Sequence, residues 1–479
     1  MECEISRNIT FSLLLDKKML KSSNYNFEFG FVKNKDSILY YNAISDALIE
    51  LDKKYIQYFN LSNRAIEFKD DDLNEEHKAI IEQLKKGNFL IDSRIDERQF
   101  LRYLSNLSKY SSKVTSFTIL PTLECNFGCS YCYEEHRNGQ MSQEVQNKII
   151  EIIEKRIQNN TKSVFIEWYG GEPLLYPDII KNISERVVVL TEKNGVNFSA
   201  EMVSNGYLIN DNILKLLQDC KINKMQITLD GPPMIHDKKR KLKAGNKTFW
   251  TILENIKNAS KYFTIALRIN VDKKNLDSIY QLLDILCENK MNNENIYPYL
   301  GLVRPSTKAC KNYSSFCLSE EEYAINNAKF IEELHKRNFK NFTYPQPGYR
   351  ICGAVTEGIF GIDPDGNLYK CWETVAVPEE AVGNILKVEP DVDYNLNLIK
   401  WMTYDPFENE ECKECKIFPI CFGGCPSSRV YHPEGKISND VMCSPMKYNA
   451  YLSKIMEIAQ LKHARGDFKQ NQEKDKTAK

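Results

Sequence analysis

The chain has 479 residues, of which 42% are apolar and 27% charged, and its formal net charge is −1 at pH 7. This length predicts two or three domains, and the composition is that of an ordinary globular protein. The near-zero charge excludes a broad basic surface for nucleic acid or an anionic membrane, and no apolar run approaches the roughly 20 residues that cross a bilayer. The N-terminus mixes charged and apolar residues, unlike a signal peptide, so we expect a cytoplasmic protein.

Residues 1–110 are predicted to form a first module. The segment Ser37–Leu51 is typical of strand structure, with a turn near Asn42. Helices are predicted over Lys54–Phe59 and Asn74–Lys86, the latter ending at Gly87, which is a common residue just after a helix. A short strand, Phe89–Ile91, follows.

Residues 111–340 alternate predicted strands with predicted helices. The strands are Ser116–Leu120, Val164–Trp168, Phe198–Val203, Met225–Leu229, Ile265–Val271 and Ile296–Leu302. The helices are Glu144–Ile157, Pro177–Leu190, Asn212–Cys220, Phe249–Tyr262, Leu276–Glu288 and Glu320–Lys336, the last preceded by the capping box that begins at Ser319. Six successive βα units predict an α/β fold with a parallel sheet curved into a partial (β/α)6 barrel, like an incomplete TIM barrel.

Residues 341–450 break this rhythm. They are rich in Cys, Pro and Gly, with short strand-like pieces such as Gly358–Ile362. Because they offer little apolar surface, we expect metal sites to hold them together. In residues 451–479 we expect a C-terminal helix and a disordered tail, since the stretch from Gln460 is nearly all polar.

The cysteines are the most informative feature of the composition. There are 15 of them, and a reducing cytoplasm makes disulfides an unsuitable explanation. Ten of them form two tight groups, in residues 125–132 and 352–443. Of the others, Cys3, Cys220 and Cys287 are interpreted as small apolar residues without a ligand role.

The first group has the spacing C-x3-C-x2-C and directly follows the first predicted barrel strand. Cys125, Cys129 and Cys132 can hold three irons of a [4Fe–4S] cluster, which ordinarily takes four cysteines. The fourth iron is then open to an external ligand. The alternative is a structural zinc site, which needs four ligands, and His136 is the one nearby substitute for a fourth cysteine.

This motif resembles the signature of the radical S-adenosylmethionine (radical SAM) family, in which an aromatic residue such as Tyr131 precedes the last cysteine. The resemblance implies a partial barrel whose strand ends bind S-adenosylmethionine. Loops after the following strands also resemble that family. The matching positions that we expect to bind the cofactor are Gly170, Gly171, Glu172, Pro173, Ser204, Asn205, Asp230, Arg240 and Arg268.

The basic run Lys238–Lys243 has two interpretations. It resembles part of a family pattern that includes His236, Asp237 and Arg240, in which Arg240 is the best candidate to contact a peptide or the methionyl carboxylate. The simpler interpretation, which we favour for the run as a whole, is a solvated loop.

The second cysteine group resembles the SPASM domain, a C-terminal extension that binds auxiliary [4Fe–4S] clusters. The resemblance assigns Cys412, Cys415, Cys421 and Cys443 to one cluster. It assigns Cys352, Cys371 and Cys425 to a second. The eighth ligand is left open among Cys310, Cys317, a substrate thiolate and no ligand at all. A zinc ribbon is the alternative, although seven ligands do not fill two tetrahedral sites.

The resemblance implies a peptide maturase that generates a 5′-deoxyadenosyl radical and installs a thioether or carbon–carbon crosslink in a ribosomally made precursor peptide (a RiPP). In such relatives, a small winged-helix module like that expected in residues 1–110 recognises the leader of the precursor. A reducing partner such as flavodoxin or ferredoxin is implied as well. Two alternatives stay open, namely a sulfatase-maturing enzyme that oxidises a Cys or Ser residue, and a non-catalytic iron–sulfur protein that binds peptides or transfers electrons.

Overall fold

The computed structural model describes residues 19–30, 36–58, 66–67, 74–304, 308–340, 345, 347–348, 351–375, 377–387, 395–430 and 443–464. Within these ranges, no helix is long and apolar enough to cross a membrane.

The N-terminal module contains two small antiparallel sheets and two α-helices. Its elements are β1 (Met19–Ser22), β2 (Asn26–Phe29), β3 (Ser37–Asn42), β4 (Ala47–Asp52), a 3₁₀ turn (Lys53–Tyr58), β5 (Ile66–Glu67), α1 (Glu75–Lys86), β6 (Leu90–Asp92) and α2 (Glu97–Lys109). The sheets have the strand orders β5-β1-β6 and β2-β3-β4. The predicted strands on either side of the turn near Asn42 and the helix before Gly87 are therefore confirmed.

Four described elements of this module escaped prediction, namely β1, β2, β5 and α2. Strands β1 and β2 have four residues each, too short for an alternating pattern to stand out. Helix α2 buries Glu97, Ser105 and Lys109 together with Leu101. A buried face that is largely polar gives a weak apolar periodicity, and this explains why α2 was missed.

The six predicted βα units are confirmed as one parallel sheet. Its strands are β7 (Val114–Ile119), β8 (Ser163–Trp168), β9 (Asn197–Ser204), β10 (Ile222–Thr228), β11 (Thr264–Val271) and β12 (Ile296–Leu302). The accompanying helices are α3 (Gln143–Gln158), α4 (Pro177–Asn194), α5 (Asp211–Asp219), α6 (Pro233–Lys239), α7 (Phe249–Ala259), α8 (Ile279–Glu288) and α9 (Glu320–Lys336).

Local signals explain most of these boundaries. The Ser142 side chain accepts the backbone N–H of Val145 at the start of α3, and the predicted capping box at Ser319 is present at the start of α9. Three predicted helices differ from expectation by three or four residues, since residues 276–278 form a 3₁₀ turn before α8, α7 ends at Ala259 and α4 continues to Asn194. Helix α6 was not predicted.

The cysteine-rich region extends the barrel sheet. Its elements are β13 (Ile359–Ile362), β14 (Asn367–Tyr369), β15 (Gly383–Asn384), α10 (Leu396–Thr403), α11 (Phe418–Cys421), α12 (Pro426–Val430) and α13 (Asn449–Ala464). Strand β13 pairs in parallel with β7, so the order of the whole sheet is β12-β11-β10-β9-β8-β7-β13-β14-β15.

Two expectations about this region were wrong. Apolar side chains such as Ile362, Trp401 and Phe418 lie in the same hydrophobic core as the barrel, so packing as well as metal holds the region. Helix α13 continues to Ala464, although disorder was expected from Gln460. Residues 465–479, the rest of that expected tail, lie outside the described structure.

The N-terminal module packs directly on the cysteine-rich region. Arg98 of α2 donates hydrogen bonds to the carbonyl oxygens of Phe407 at 2.6 Å and of Cys412 at 3.0 Å. Its guanidinium carbon also lies 5.0 Å from the centre of the Phe418 ring. The Tyr41 hydroxyl donates to the carbonyl oxygen of Pro345 at 2.6 Å. The module is therefore joined to the region that carries the second cysteine group.

Candidate functional site

The three-cysteine loop follows β7, at the carboxyl end of the barrel strands. Cys125, Cys129 and Cys132 are free thiols. The pKa values of the Cys125 and Cys132 thiols are raised to about 12, chiefly by burial, then by the charge of Glu172 on Cys125 and of Glu134 on Cys132, with smaller contributions from the neighbouring cysteines. The three thiols thus share one small, largely desolvated volume. Ligation by a cationic cluster would favour their thiolate forms.

The Gly170–Gly171 pair lies tight against this cysteine loop. A Cβ atom added at Gly170 would lie 2.4 Å from the carbonyl oxygen of Thr122, and one at Gly171 would lie 2.1 Å from that of Glu124. The backbone N–H of Glu172 donates to the same Glu124 oxygen at 2.8 Å. Only residues without a side chain allow this approach of two backbones.

Glu172 ties together the loops after β8 and β9. Its buried carboxylate accepts hydrogen bonds from the N–H of Leu174 at 3.0 Å, the hydroxyl of Ser204 at 2.9 Å and the N–H of Asn205 at 2.7 Å. Burial raises the pKa of Glu172, and these hydrogen bonds oppose that rise. The residue therefore positions its neighbours through its side chain.

Asn205 connects this network to the cysteine loop. Its amide nitrogen donates to Asn126 Oδ1 at 2.7 Å, and its amide oxygen accepts the N–H of Tyr207 at 2.9 Å. The predicted positions at the ends of β8 and β9 thus form one hydrogen-bonded unit with the loop that carries Cys125.

A second polar unit surrounds Tyr131. Its hydroxyl donates to Asp230 and accepts hydrogen bonds from Arg240 Nη1 at 2.8 Å and Asn270 Nδ2 at 3.0 Å. The other Asp230 oxygen accepts the N–H of Asn270 at 3.0 Å. Arg240 also lies over the Phe127 ring, 5.7 Å from its centre. Tyr131, from the three-cysteine motif, and Asp230 and Arg240, from the motif after β10, are thus brought into contact.

His236 and Asp237 have structural roles. The N–H of Asp230 donates to His236 Nδ1 at 3.2 Å, and His236 Nε2 lies 3.0 Å from the Thr248 hydroxyl. Burial, followed by the charges of Arg240 and Lys239, holds the pKa of His236 well below its usual value, so the ring is neutral. Asp237 Oδ1 accepts the N–H groups of Thr248 and Phe249 at the start of α7.

The solvated-loop interpretation of the basic run holds for some of its members. Lys238, Lys241 and Lys243 are exposed. It is wrong for Lys239 and Arg240, which are buried. Lys239 Nζ forms an ion pair of 2.7 Å with Asp272, and this buried pair compensates the cost of removing the ammonium from water.

Arg268 lies apart from the cysteine loop, within the barrel. Its Nε donates to Asn270 Oδ1 at 2.7 Å, and its guanidinium lies over the Tyr299 ring, 6.0 Å from the centre. Gly301 on β12 leaves the necessary space, because a Cβ there would lie 2.6 Å from Arg268 Nε. The structure therefore links Arg268 to the cofactor region through Asn270.

Sequence reasoning missed an aromatic group that joins the two cysteine regions. The hydroxyls of Tyr133 and Tyr169 are hydrogen-bonded to each other. The Tyr169 ring stacks on Trp372, with ring centres 6.3 Å apart, and Trp372 is 51% exposed. Tyr133 and Trp372 each directly follow a predicted cysteine ligand, a signal that the sequence offered.

Glu134 was also missed. Burial raises the pKa of its carboxyl to about 7, and the charge of Glu172 contributes to the rise. Its backbone N–H donates to the Cys132 thiol.

The seven C-terminal cysteines fall into the two groups that the resemblance assigned. Burial is the main cause that raises the pKa values of Cys352, Cys371, Cys412 and Cys421, and neighbouring thiols also contribute. In the first group, Cys352 is influenced by Cys425, and Cys371 by both Cys425 and Cys352. In the second group, Cys412 is influenced by Cys415 and Cys443, and Cys421 by Cys412, Cys415 and Cys443.

The eighth ligand stays open. The Cys317 thiol lies 3.6 Å from the carbonyl oxygen of Tyr313. The side chain of Cys310 and the whole of Cys3 lie outside the described structure. Cys220 is buried in the core and Cys287 packs against it.

The zinc alternative has a single contact in its favour. His136 Nε2 lies 3.5 Å from Cys132 Sγ, while His136 Nδ1 faces the carbonyl oxygen of Leu123 at 3.1 Å. In the described ranges, no three His, Cys, Asp or Glu side chains converge closely enough to hold one metal ion.

The residues present fit a nucleotide-bound iron–sulfur cluster. Three thiols share one loop, and the Gly170–Gly171 backbone lies against it. Arg240 Nε is buried without a hydrogen-bond partner in the described structure, and such a cation has unused capacity for a carboxylate. Cys125, Cys129 and Cys132 would hold the cluster, and Arg240 is placed to meet an anionic group beside it.

Residues 119–286 match the family model described as the radical SAM superfamily. This part of the chain is therefore a radical SAM domain, and the cofactors of that family are S-adenosylmethionine and a [4Fe–4S] cluster.

Curated relatives of the chain modify different targets. A cysteine-type anaerobic sulfatase-maturating enzyme from Clostridium perfringens is 23% identical over 67% of this chain and 91% of its own length. The radical SAM cyclopropyl synthase TigE from Paramaledivibacter caminithermalis is 22% identical over 82% of this chain and 87% of its own length.

Solved structures share the fold. The structure of anSMEcpe with bound AdoMet and Cp18Cys peptide gives a TM-score of 0.52 at 21% identity, covering 74% of this chain and 97% of that one. SuiB from Streptococcus suis, bound to its precursor peptide SuiA, gives 0.50 at 17% identity, covering 90% of this chain and 99% of that one. The predicted architecture, a partial barrel with additional modules, is confirmed at the level of the fold.

Proposed function

We propose that the protein is a peptide maturase that forms a thioether or carbon–carbon crosslink in a ribosomally made precursor peptide. The observation that carries this proposal is the N-terminal module, which occupies residues 1–110 in addition to the radical SAM domain and is joined to the cysteine-rich region by Arg98. A module of this kind gives a precursor peptide a binding surface away from the site of chemistry.

The extent of similarity supports this choice. SuiB, which was solved with a precursor peptide, corresponds to 90% of this chain, whereas anSMEcpe corresponds to 74% although nearly all of anSMEcpe is covered. We infer that the part without a counterpart in anSMEcpe is mainly the N-terminal module. Its antiparallel sheet β2-β3-β4 has two edge strands, and an edge strand can pair with an extended peptide.

In this proposal, residues 111–340 carry the first step, which is the formation of the radical. Residues 341–450 carry the last step, which is the uptake of the released electron. S-adenosylmethionine bound to the reduced cluster supplies a 5′-deoxyadenosyl radical, which removes a hydrogen atom from unactivated carbon. Cys125, Cys129 and Cys132 hold the cluster, and Arg240 orients the methionyl carboxylate. Glu172 and Asn205 keep the loops after β8 and β9 in register with the cysteine loop.

The C-terminal cysteines hold two auxiliary [4Fe–4S] clusters in this proposal. Cys412, Cys415, Cys421 and Cys443 bind one, and Cys352, Cys371 and Cys425 bind the other, leaving one iron for an eighth ligand or a substrate thiolate. A nearby cluster can accept the electron that is released when the substrate radical closes a new bond. Residues 451–479 contribute helix α13, which packs on α9.

Mass spectrometry of a candidate precursor peptide tests the proposal. The reconstituted enzyme, dithionite, S-adenosylmethionine and peptide are incubated without oxygen. We expect the peptide to lose the mass of two hydrogen atoms per event, and fragmentation to be suppressed between the two linked residues. An unchanged peptide, accompanied by normal release of 5′-deoxyadenosine, would contradict this function for the peptide tested.

The second candidate is a sulfatase-maturing enzyme, favoured by the 23% identity to the Clostridium perfringens enzyme over most of that protein's length. Such an enzyme converts one Cys or Ser residue to an aldehyde. A hydrazide probe distinguishes the two, because it labels an aldehyde and leaves a crosslink unlabelled. A non-catalytic binding or electron-transfer protein would release no 5′-deoxyadenosine in either assay.

A further inference from the structure

A short hairpin with exposed lysines lies against the three-cysteine loop. Residues 241–247 turn at Gly245, whose φ is +90° and whose N–H donates to the carbonyl oxygen of Leu242 at 2.8 Å. The segment that leads into this turn runs antiparallel to the cysteine loop. The N–H of Gly128 donates to the carbonyl oxygen of Lys241 at 3.0 Å, and the N–H of Lys243 donates to that of Asn126 at 2.9 Å.

This pairing directs the lysines outward. Leu242 pairs with Phe127 in an isolated β-bridge and is half-buried, whereas Lys241 and Lys243, its neighbours in the chain, are exposed. Side chains alternate between the two faces of an extended segment, so Lys241 and Lys243 share the solvent face. Lys247 is also exposed, on the far side of the turn.

The three lysines have no role in holding the fold. No ion pair to Lys241, Lys243 or Lys247 occurs in the described ranges of the chain, in contrast to the buried pair of Lys239 with Asp272. The hairpin therefore presents uncompensated positive charge.

This charge lies beside exposed backbone of the first cysteine group. Gly128 and Ser130, on either side of Cys129, are both exposed. Lys243 is near His136, since its charge contributes, after burial, to lowering the pKa of that imidazole. His136 in turn contacts Cys132 Sγ at 3.5 Å.

We propose that Lys241, Lys243 and Lys247 form the docking surface for a small acidic one-electron carrier protein of the flavodoxin or ferredoxin class. The inference rests on the radical SAM chemistry of the proposed function. In the step concerned, the reduced carrier passes one electron to the oxidised cluster held by Cys125, Cys129 and Cys132. The carrier is thereby oxidised by one electron, and no atom or proton is transferred between the proteins.

The position of the hairpin favours this partner over the peptide. The hairpin follows β10, whereas the N-terminal module packs on the region that continues the sheet beyond β7. Three strands, β9, β8 and β7, lie between β10 and β13 in the sheet. An electron carrier and a precursor peptide can therefore occupy the protein together, as a catalytic cycle requires.

Charge reversal of the hairpin tests the proposal in the full-length, cluster-loaded enzyme. The double variant K241E/K243E is compared with K215E/K257E, which makes the same change in net charge at exposed lysines on α5 and α7. An acidic flavodoxin, reduced photochemically, is the electron source, and 5′-deoxyadenosine is measured without peptide. Binding of oxidised flavodoxin is measured separately by calorimetry.

We expect K241E/K243E to raise the flavodoxin KM about tenfold or more and to weaken its binding similarly, because electrostatic steering of association has effects of 10- to 1,000-fold. The control variant should match the wild type. Rates with dithionite, a small reductant that needs no docking surface, should be equal in all three proteins. Salt should raise the flavodoxin KM of the wild type and have little effect on K241E/K243E.

Equal KM and equal binding in the two double variants would overturn the proposal, as would flavodoxin binding by the wild type that is insensitive to salt. Hairpin-dependent binding of RNA or of anionic vesicles, without any effect on flavodoxin, would also overturn it. Failure of the proposed function would be recognised by a different result. The peptide would then stay unmodified, whereas the flavodoxin KM and binding would still differ between the hairpin variant and the control variant.

Discussion

The contact between Gly171 and the cysteine loop makes a sharp test of how the site is built. In Gly171→Ala, the new Cβ would lie 2.1 Å from the carbonyl oxygen of Glu124, 2.5 Å from its carbonyl carbon and 2.8 Å from the carbonyl oxygen of Leu123. Ordinary contact requires the two backbones to separate by about 1 Å. The atoms that the new Cβ would overlap all belong to the backbone, so no side-chain rotation can relieve the overlap.

The displaced atoms belong to the residue that precedes Cys125. Overpacking of this kind costs about 1–3 kcal/mol of folding free energy. The effect on chemistry should be larger, since a misplacement of about 1 Å at a reacting centre can cost about 100-fold in rate. We therefore expect G171A to fold with a lowered melting temperature and to form 5′-deoxyadenosine about 100 times more slowly than the wild type.

The assay is dithionite-driven release of 5′-deoxyadenosine by the reconstituted enzyme, accompanied by thermal unfolding and iron content. Gly128→Ala is the matched control, because it adds the same methyl group in the adjoining cysteine loop, at a position with nothing within 4 Å of the new atom. A G171A enzyme as fast and as stable as G128A would refute the reasoning that the two backbones need this close approach.

Three further changes separate the parts of the molecule. Arg98→Ala removes two hydrogen bonds to the carbonyls of Phe407 and Cys412 and a stack on Phe418, so chemical denaturation should show a loss of about 2–3 kcal/mol. Arg102→Ala, at a half-exposed ion pair, should cost less than about 1 kcal/mol, and equal losses would contradict the docking role of Arg98. Cys371→Ala should lower the iron content by up to about four atoms per chain and leave S-adenosylmethionine cleavage intact. The control variant Cys287→Ala should retain all of its iron. An unchanged iron content in Cys371→Ala would show that Cys371 is not a cluster ligand. Trp372→Ala, at the exposed end of the aromatic group, should slow peptide modification and leave peptide-free cleavage unchanged, and equal peptide turnover in the variant and the wild type would exclude a substrate contact there.

The barrel and its cofactor loops were predictable because each strand end carries a local signal. Strands β7 to β12 are six to eight residues long and bury residues at alternate or successive positions. The loops after β7, β8, β9 and β10 contain short motifs with restricted chemistry. Where the signal is non-local, prediction failed. The strand-like piece Gly358–Ile362 was predicted and is present as β13, but its pairing with β7, far away in the chain, was not foreseen. Helix α2 buries Lys109, whose ammonium donates to the carbonyl oxygen of Tyr404, and Glu97, whose carboxylate accepts hydrogen bonds from Ser23 and Asn24.

The amino-acid sequence by itself determined the ligand types and their spacing, because three thiols on one loop can meet one cluster whatever surrounds them. It also determined the order of βα units, which follows from periodicity. Only the tertiary structure decided that Tyr131, Asp230 and Arg240 are in contact and that the Glu172 carboxylate holds two loops together. It also decided which lysines of the basic run are buried and which are exposed. These outcomes depend on contacts between residues that are distant in sequence, and burial and hydrogen bonding at such contacts are properties of the folded chain.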